Sequence, residues 1–229
     1  MSLEKANRFC SQHLSLTRFQ IRRDLKRFST AMGVTDRILD IGSGPDKPYG
    51  DLFQGSSHIG IDLYDPSDIL GDISSLPIKS EVADLVLCTE VLEHIAEPSI
   101  VLHEARRVLK AGQYLIITVP LIWGEHDHVD YQRWTETGLR RLLEKNRFDI
   151  LTIYRRGGIF SVLGCLVYQV PHQIFGKYAD LGNRLLRLAY VCSVVLVTPI
   201  PWLLSLLDFL DRSRSFTVGY SVLCKKING

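Results

Sequence analysis

Between residues 37 and 154 the chain alternates short apolar runs with longer stretches in which apolar residues recur every three or four positions. Residues 37–41, 59–64, 82–88 and 114–120 are rich in Ile, Leu and Val and are bounded by Gly, Asp or Pro, which predicts buried strands. Residues 103–110, followed by Gly112, predict a helix and its stop, and Thr135 opens another as an N-cap. Strand and helix alternating in this way predict an α/β fold, a doubly wound and mostly parallel sheet. Residues 1–36 read as helical. Within them Leu16, Phe19, Ile21, Leu25 and Phe28 interleave with Arg18, Arg22, Arg23, Lys26 and Arg27, an amphipathic basic helix that either covers the domain or lies on an anionic surface.

The pattern changes late. Residues 159–176 and 188–207 carry almost no charge, and the second stretch nears the roughly 20 apolar residues that span a bilayer. Pro171, Pro199 and Pro201 interrupt them. Arg155 and Arg156 precede this region and Arg212 and Arg214 follow it, where they suit anionic headgroups on the cytoplasmic face. A helical subdomain or a dimer surface is the competing reading. Membrane contact through 159–210 is the expectation the composition favours.

Composition adds bounds rather than direction. With 229 residues, 27 basic and 25 acidic side chains and a net charge of +2, the chain is long enough for one sizeable domain and has no general field for nucleic acid. Five scattered cysteines, odd in number and without a C-x-x-C, suggest neither a disulfide framework nor a zinc site. The first residues lack an apolar core of the secretory type, so a cytoplasmic location is expected.

Candidate chemistry gathers where the strands are predicted to end. Asp40 leads into Gly42, Ser43 and Gly44, a turn in which backbone can approach a ligand. Asp62, followed by Leu63, stands at the tip of the second run about twenty residues on, the position at which a carboxylate accepts hydrogen bonds from vicinal ribose hydroxyls. Asp72 and Ile73 offer an acceptor and an apolar flank to an adenine. Thr89, Glu90, Glu93 and His94 follow the next strand. After Pro120, a loop carries His126, Asp127, His128, Asp130, Tyr131 and Arg133; His126 or His128 would serve as a base near neutral pH, with Tyr131 beside them. No third histidine or cysteine stands at ligand spacing in this loop, so no metal is expected there.

Taken in order, these motifs resemble the class I S-adenosylmethionine-dependent methyltransferases, in particular the methyltransferase type 11 group, over roughly residues 30–155. The resemblance implies a Rossmann-like sheet of seven strands, with 148–154 as the sixth and 220–226 as the seventh, and a hydrophobic helical insertion before the last. It implies S-adenosylmethionine as cofactor. Asp40, Gly42, Ser43 and Gly44 would hold its methionine part, Asp62 and Leu63 the ribose, Asp72 and Ile73 the adenine, and Thr89, Glu90 and His94 the methionine end. Where many members have a third glycine, this chain has Asp46, which repels phosphate and tolerates a sulfonium. The expected organisation is a helical cap over 1–36, a core over 37–156, an insertion over 157–215 and a returning strand over 216–229. If the flanking strands share one sheet, the insertion leaves and returns on the same side, which excludes a single crossing. The expected activity is methyl transfer to a small-molecule, lipid or lipid-linked glycan acceptor; the alternatives are a nucleotide-dependent oxidoreductase and a non-catalytic module that binds cofactor and membrane.

Overall fold

In the computed structural model, residues 15–45, 47–53, 57–64, 66–126, 129–179 and 184–227 are described. Seven strands form one sheet: β1 (Arg37–Ile41), β2 (Ser57–Asp62), β3 (Ile69–Leu70), β4 (Ala83–Thr89), β5 (Leu109–Pro120), β6 (Phe148–Arg156) and β7 (Gly219–Lys226). Their order is β3-β2-β1-β4-β5-β7-β6. β1 pairs in parallel with β2 and β4, β2 with β3 and β4 with β5, whereas β7 runs antiparallel to β5. The chain runs outward from β1 to β3 and then returns to β4 on the other side of β1. That reversal opens a crevice at the carboxyl ends of β1 and β4, the place where open α/β sheets bind ligands.

Alternation along the strands sorts side chains to two faces. Leu39, Ile41, Val86, Cys88, Leu115, Ile117, Val222 and Cys224 pack with helices α2 (Pro98–Val108) and α3 (Glu136–Lys145). Ile38, Leu85, Leu87, Ile116 and Leu223 meet Ile21, Leu25 and Phe28 of α1 (Leu16–Met32). The apolar side of the basic helix therefore covers the sheet. Asp24 on the same helix is fully buried, with its carboxylate beside Arg23 and Arg27.

Two local expectations are corrected. The helix expected to run to Lys110 ends at Val108, and Gly112, expected to stop it, lies within β5 with φ of +68°. Pairing outweighs helix propensity here: Leu109 registers with Ala83, and Lys110 Nζ reaches the Asp84 carboxylate at 2.6 Å. The two-residue β3 was not anticipated; it is held beside β2, and Gly71 N donates to Asp62 O at 2.9 Å just beyond it.

The chain divides into two compact units, residues 21–154 with 219–229 and residues 1–20 with 155–218. The first carries the sheet, apart from the last two residues of β6. The second carries α4 (Ile159–Ala179), α5 (Arg184–Val197), α6 (Pro199–Ser205) and the 3-10 turn Leu206–Leu210. Two acids close this helical unit on itself. Asp208 accepts from the backbone N–H of Gly158, Phe160 and Ser161, and Asp211 from that of Ile159, so both occupy the electropositive start of α4. Farther along, α4 and α6 meet at Gly164, where a Cβ would stand 2.6 Å from Pro201 Cα. Even so, much of the apolar surface in this unit is unburied. Residues Arg184–Leu210 form a 27-residue helical stretch apolar and long enough to cross a membrane, yet Leu185, Val195, Leu196, Leu206 and Phe209 are each largely exposed.

Candidate active site

The turn after β1 is shaped by backbone that only glycine adopts without strain. Gly42 and Gly44 have φ of +70° and +62°, and Gly42 N donates to Ile61 O at 2.8 Å, joining the turn to the end of β2. A Cβ on Gly42 would collide with the Val91 side chain; at Gly44 it would meet open space. Gly42 therefore allows the turn to close over the segment after β4, and Gly44 leaves room above it.

Asp62 stands at the tip of β2, where its Oδ2 accepts from Gly44 N at 2.9 Å and its Oδ1 from Tyr64 N at 3.2 Å. Each oxygen has a second lone pair, so a diol can still bind while the same carboxylate fixes the glycine turn. Leu63 is exposed beside it. Asp72 is also exposed and caps its own turn through Ser74 N at 2.7 Å, whereas Ile73 is buried in the core. Asp40 behaves differently. It is buried on the face it shares with His58, whose Nε2 lies 3.1 Å from Asp40 Oδ2. Burial pushes the Asp40 carboxyl above its ordinary range and the imidazole opposes that shift. Asp40 Oδ1 is enclosed and accepts no hydrogen bond among the described residues. His58 was missed in the sequence, where it reads as one polar residue in an apolar strand.

The other wall comes from the segment after β4 and the loop after β5. Thr89 ends β4, and Glu90 has φ of +54°, a strained conformation for a residue with a side chain, fixed by its N–H donating to Thr118 O at 3.0 Å. Glu93 is fully buried in the 3-10 turn Leu92–His94. Its carbonyl accepts from Tyr131 N at 2.8 Å, and Gln132 Nε2 donates to Ile95 O at 2.8 Å, so the loop is laced to this segment. His94 and His126 meet edge to face with ring centroids 4.9 Å apart. Tyr131 is exposed. His128 and Asp127 of the same loop, like Asp46 after the glycine turn, lie outside the described residues.

Asp130 organises the loop. Both of its oxygens receive the Arg133 guanidinium, and His126 N donates to Oδ2 at 3.2 Å. Arg133 first, and that backbone N–H next among the lowering contacts, hold the Asp130 carboxyl well below the usual range of about 3.8. The sign follows: a depressed carboxylate contributes stability above the unfolded-state pKa and loses it as pH falls through the folded one. Asp130→Asn should cost about 3 kcal/mol at pH 7, since it breaks an ion pair whose carboxylate is 4% exposed. In thermal melts, the gap between wild type and variant should narrow progressively below about pH 4.

Residues 39–117 match a family described as a methyltransferase domain. An uncharacterized 37.1 kDa protein in transposon TN4556 of Streptomyces fradiae is 35% identical over 104 residues, 37% of this chain and 30% of that protein. The chain thus matches less than a third of that relative's length. Among solved structures, the 1,6-didemethyltoxoflavin-N1-methyltransferase of Burkholderia thailandensis, with bound 1,6-didemethyltoxoflavin and S-adenosylhomocysteine, superposes with a TM-score of 0.57 at 15% identity, covering 91% of this chain and 79% of that one. The cyclase SpnF superposes with a TM-score of 0.58 at 18% identity over 90% and 80%. At such identities the likeness is one of fold, and the cyclase illustrates that this fold hosts more than one chemistry.

Proposed function

We propose that this chain, whose residues 39–117 form a methyltransferase domain, is an enzyme that uses S-adenosylmethionine to methylate a lipid or lipid-linked acceptor at the cytoplasmic face of a membrane. The cofactor part of this reading is supported by the glycine turn, where a Cβ on Gly42 has no room, and by the Asp62 carboxylate beside it. Gly42, Ser43, Gly44 and Asp40 would hold the methionine part, Asp62 and Leu63 the ribose, Asp72 and Ile73 the adenine, and Thr89, Glu90 and His94 the end nearest the reaction. When bound, the cofactor supplies an activated methyl on a sulfonium, so the protein has chiefly to align the acceptor and exclude water. The loop after β5, which carries His126 and Tyr131, would face the acceptor, and an imidazole of that loop, His126 or His128, would take a proton from a hydroxyl or amine.

The single observation that carries the lipid part is the exposure of Leu196, Leu206 and Phe209 within Arg184–Leu210. Large apolar side chains exposed together mark a surface that is covered in use. The test is incubation of the purified full-length protein with methyl-labelled cofactor and either a membrane lipid extract or the water-soluble metabolite pool. Label is expected in the organic phase. Label only in the aqueous phase would move the acceptor to a small soluble molecule, and label in neither, together with no calorimetric uptake of S-adenosylhomocysteine, would overturn the enzyme reading.

A further inference from the structure

Three side chains at the carboxyl edge of the sheet offer donor atoms to one point. Glu93, His94 and His126 each present a nitrogen or oxygen, and these atoms lie within 4.8 Å of one another. Two come from the segment after β4 and one from the loop after β5. Spacing within residues 126–130 argued against a metal, but the partners of His126 come from more than thirty residues upstream.

The contacts of each Nδ1 determine which nitrogen keeps a lone pair. His94 Nδ1 is 2.6 Å from Val129 O, and His126 Nδ1 is 3.2 Å from Gly124 O and 3.1 Å from Asp130 Oδ2. A carbonyl and a carboxylate can only accept, so Nδ1 carries the proton in both rings and the lone pair of each neutral imidazole is on Nε2. His94 Nε2 lies 3.8 Å from Glu93 Oε1, so a proton on that nitrogen or a cation between the two draws them together. Imidazoles anchored through Nδ1 to a carbonyl or carboxylate are the usual outer arrangement around a bound metal. Arg133, held by Asp130, also bears electrostatically on Glu93 and Glu90, so the region is already arranged around opposite charges.

We propose that Glu93, His94 and His126 form a site for a divalent cation of the zinc or manganese type. Two imidazoles and one carboxylate suit such ions, and three protein ligands leave positions open. Ligands about 2.1 Å from a shared ion stand roughly 3–3.5 Å apart, so the cluster closes by side-chain rotation, for which His126, at 33% exposure, has room. On the methyl-transfer reading, on which this part rests, the open positions take an oxygen of the acceptor; with His126 engaged as a ligand and so no longer the base, the hydroxyl proton is lost to water. The acceptor would accordingly be methylated on oxygen.

The test uses the untagged full-length protein, stripped with chelator and titrated with Zn²⁺, Mn²⁺ or Co²⁺ alone. One equivalent should bind with a Kd below about 100 µM, and Co²⁺ should show the absorption of a bound ion. His94→Ala and His126→Ala should each weaken binding at least tenfold. If either variant melts early, zinc-edge X-ray absorption on the wild type decides, with imidazole nitrogen and oxygen expected around the metal. Sulfur neighbours, no binding in that range, or full affinity in a folded double variant would overturn the site. Calorimetry with S-adenosylhomocysteine, run in parallel, separates the two readings: cofactor uptake without the cation sinks the metal site alone, and cation uptake without the cofactor sinks methyl transfer alone.

Discussion

Gly42→Val is expected to lower the affinity for S-adenosylhomocysteine at least ~100-fold in calorimetry while the sheet stays folded. Two costs coincide at this position. A side chain at φ of +70° costs about 1–2 kcal/mol, and forcing atoms into a filled space typically costs a further ~1–3 kcal/mol. The space is filled because a Cβ would lie 3.0 Å from Val91 Cγ1 and nearer still to Cγ2. The turn can relieve this only by moving away from the segment after β4, and the cofactor's place moves with it. Gly44→Ala supplies the control: φ is +62° but no atom lies within 4 Å of the added carbon, so only the first cost applies and the loss should be about tenfold. Unchanged affinity in the valine variant would mean that the turn does not hold the cofactor.

The second large effect is expected from Leu196→Ser, Leu206→Ser and Phe209→Ser combined. Their exposures are 73%, 70% and 73%, so replacing them should cost the folded protein little. Inserted into a bilayer, each would contribute about 1.5–3 kcal/mol, and losing all three should reduce vesicle binding by at least ~1000-fold. Flotation with mixed neutral and anionic vesicles is the measurement. Wild type should rise with the lipid, and the triple variant should remain at the bottom. Equal flotation of both, or a wild type that stays at the bottom, would assign the apolar stretch to another partner.

How much of this was legible depended on whether the cause was local. Arg37–Ile41 and the glycines after it were readable because a buried strand needs a run of branched apolar residues and the turn needs positive φ. Thr135 announced α3 for a similar reason, and its hydroxyl accepts from Gly138 N at 3.2 Å. Where a neighbour decides the outcome, the linear pattern misled. Leu109 to Gly112 follow a helix and carry helix-forming residues, yet pairing with Ala83 draws them into the sheet. His58 gained its meaning from the parallel register that sets Asp40 beside Gly60 and brings the imidazole diagonally onto the same face. Periodicity showed that α1 has an apolar side, whereas which surface that side covers emerged only with the sheet. The meeting of Glu93 and His94 with His126 is of the same kind, since it follows from where β4 and β5 end side by side.

The position of β7 bears on how the protein is made. Among the described residues β6 is an edge strand whose neighbour is β7, so it cannot join the sheet until residues 219–226 have left the ribosome. The greasy helices 159–210 are translated earlier. At about 5–20 residues per second the nascent chain therefore exposes them for several seconds while its sheet is still unfinished. Delivery to a bilayer, or capture by a chaperone, would come before the fold closes.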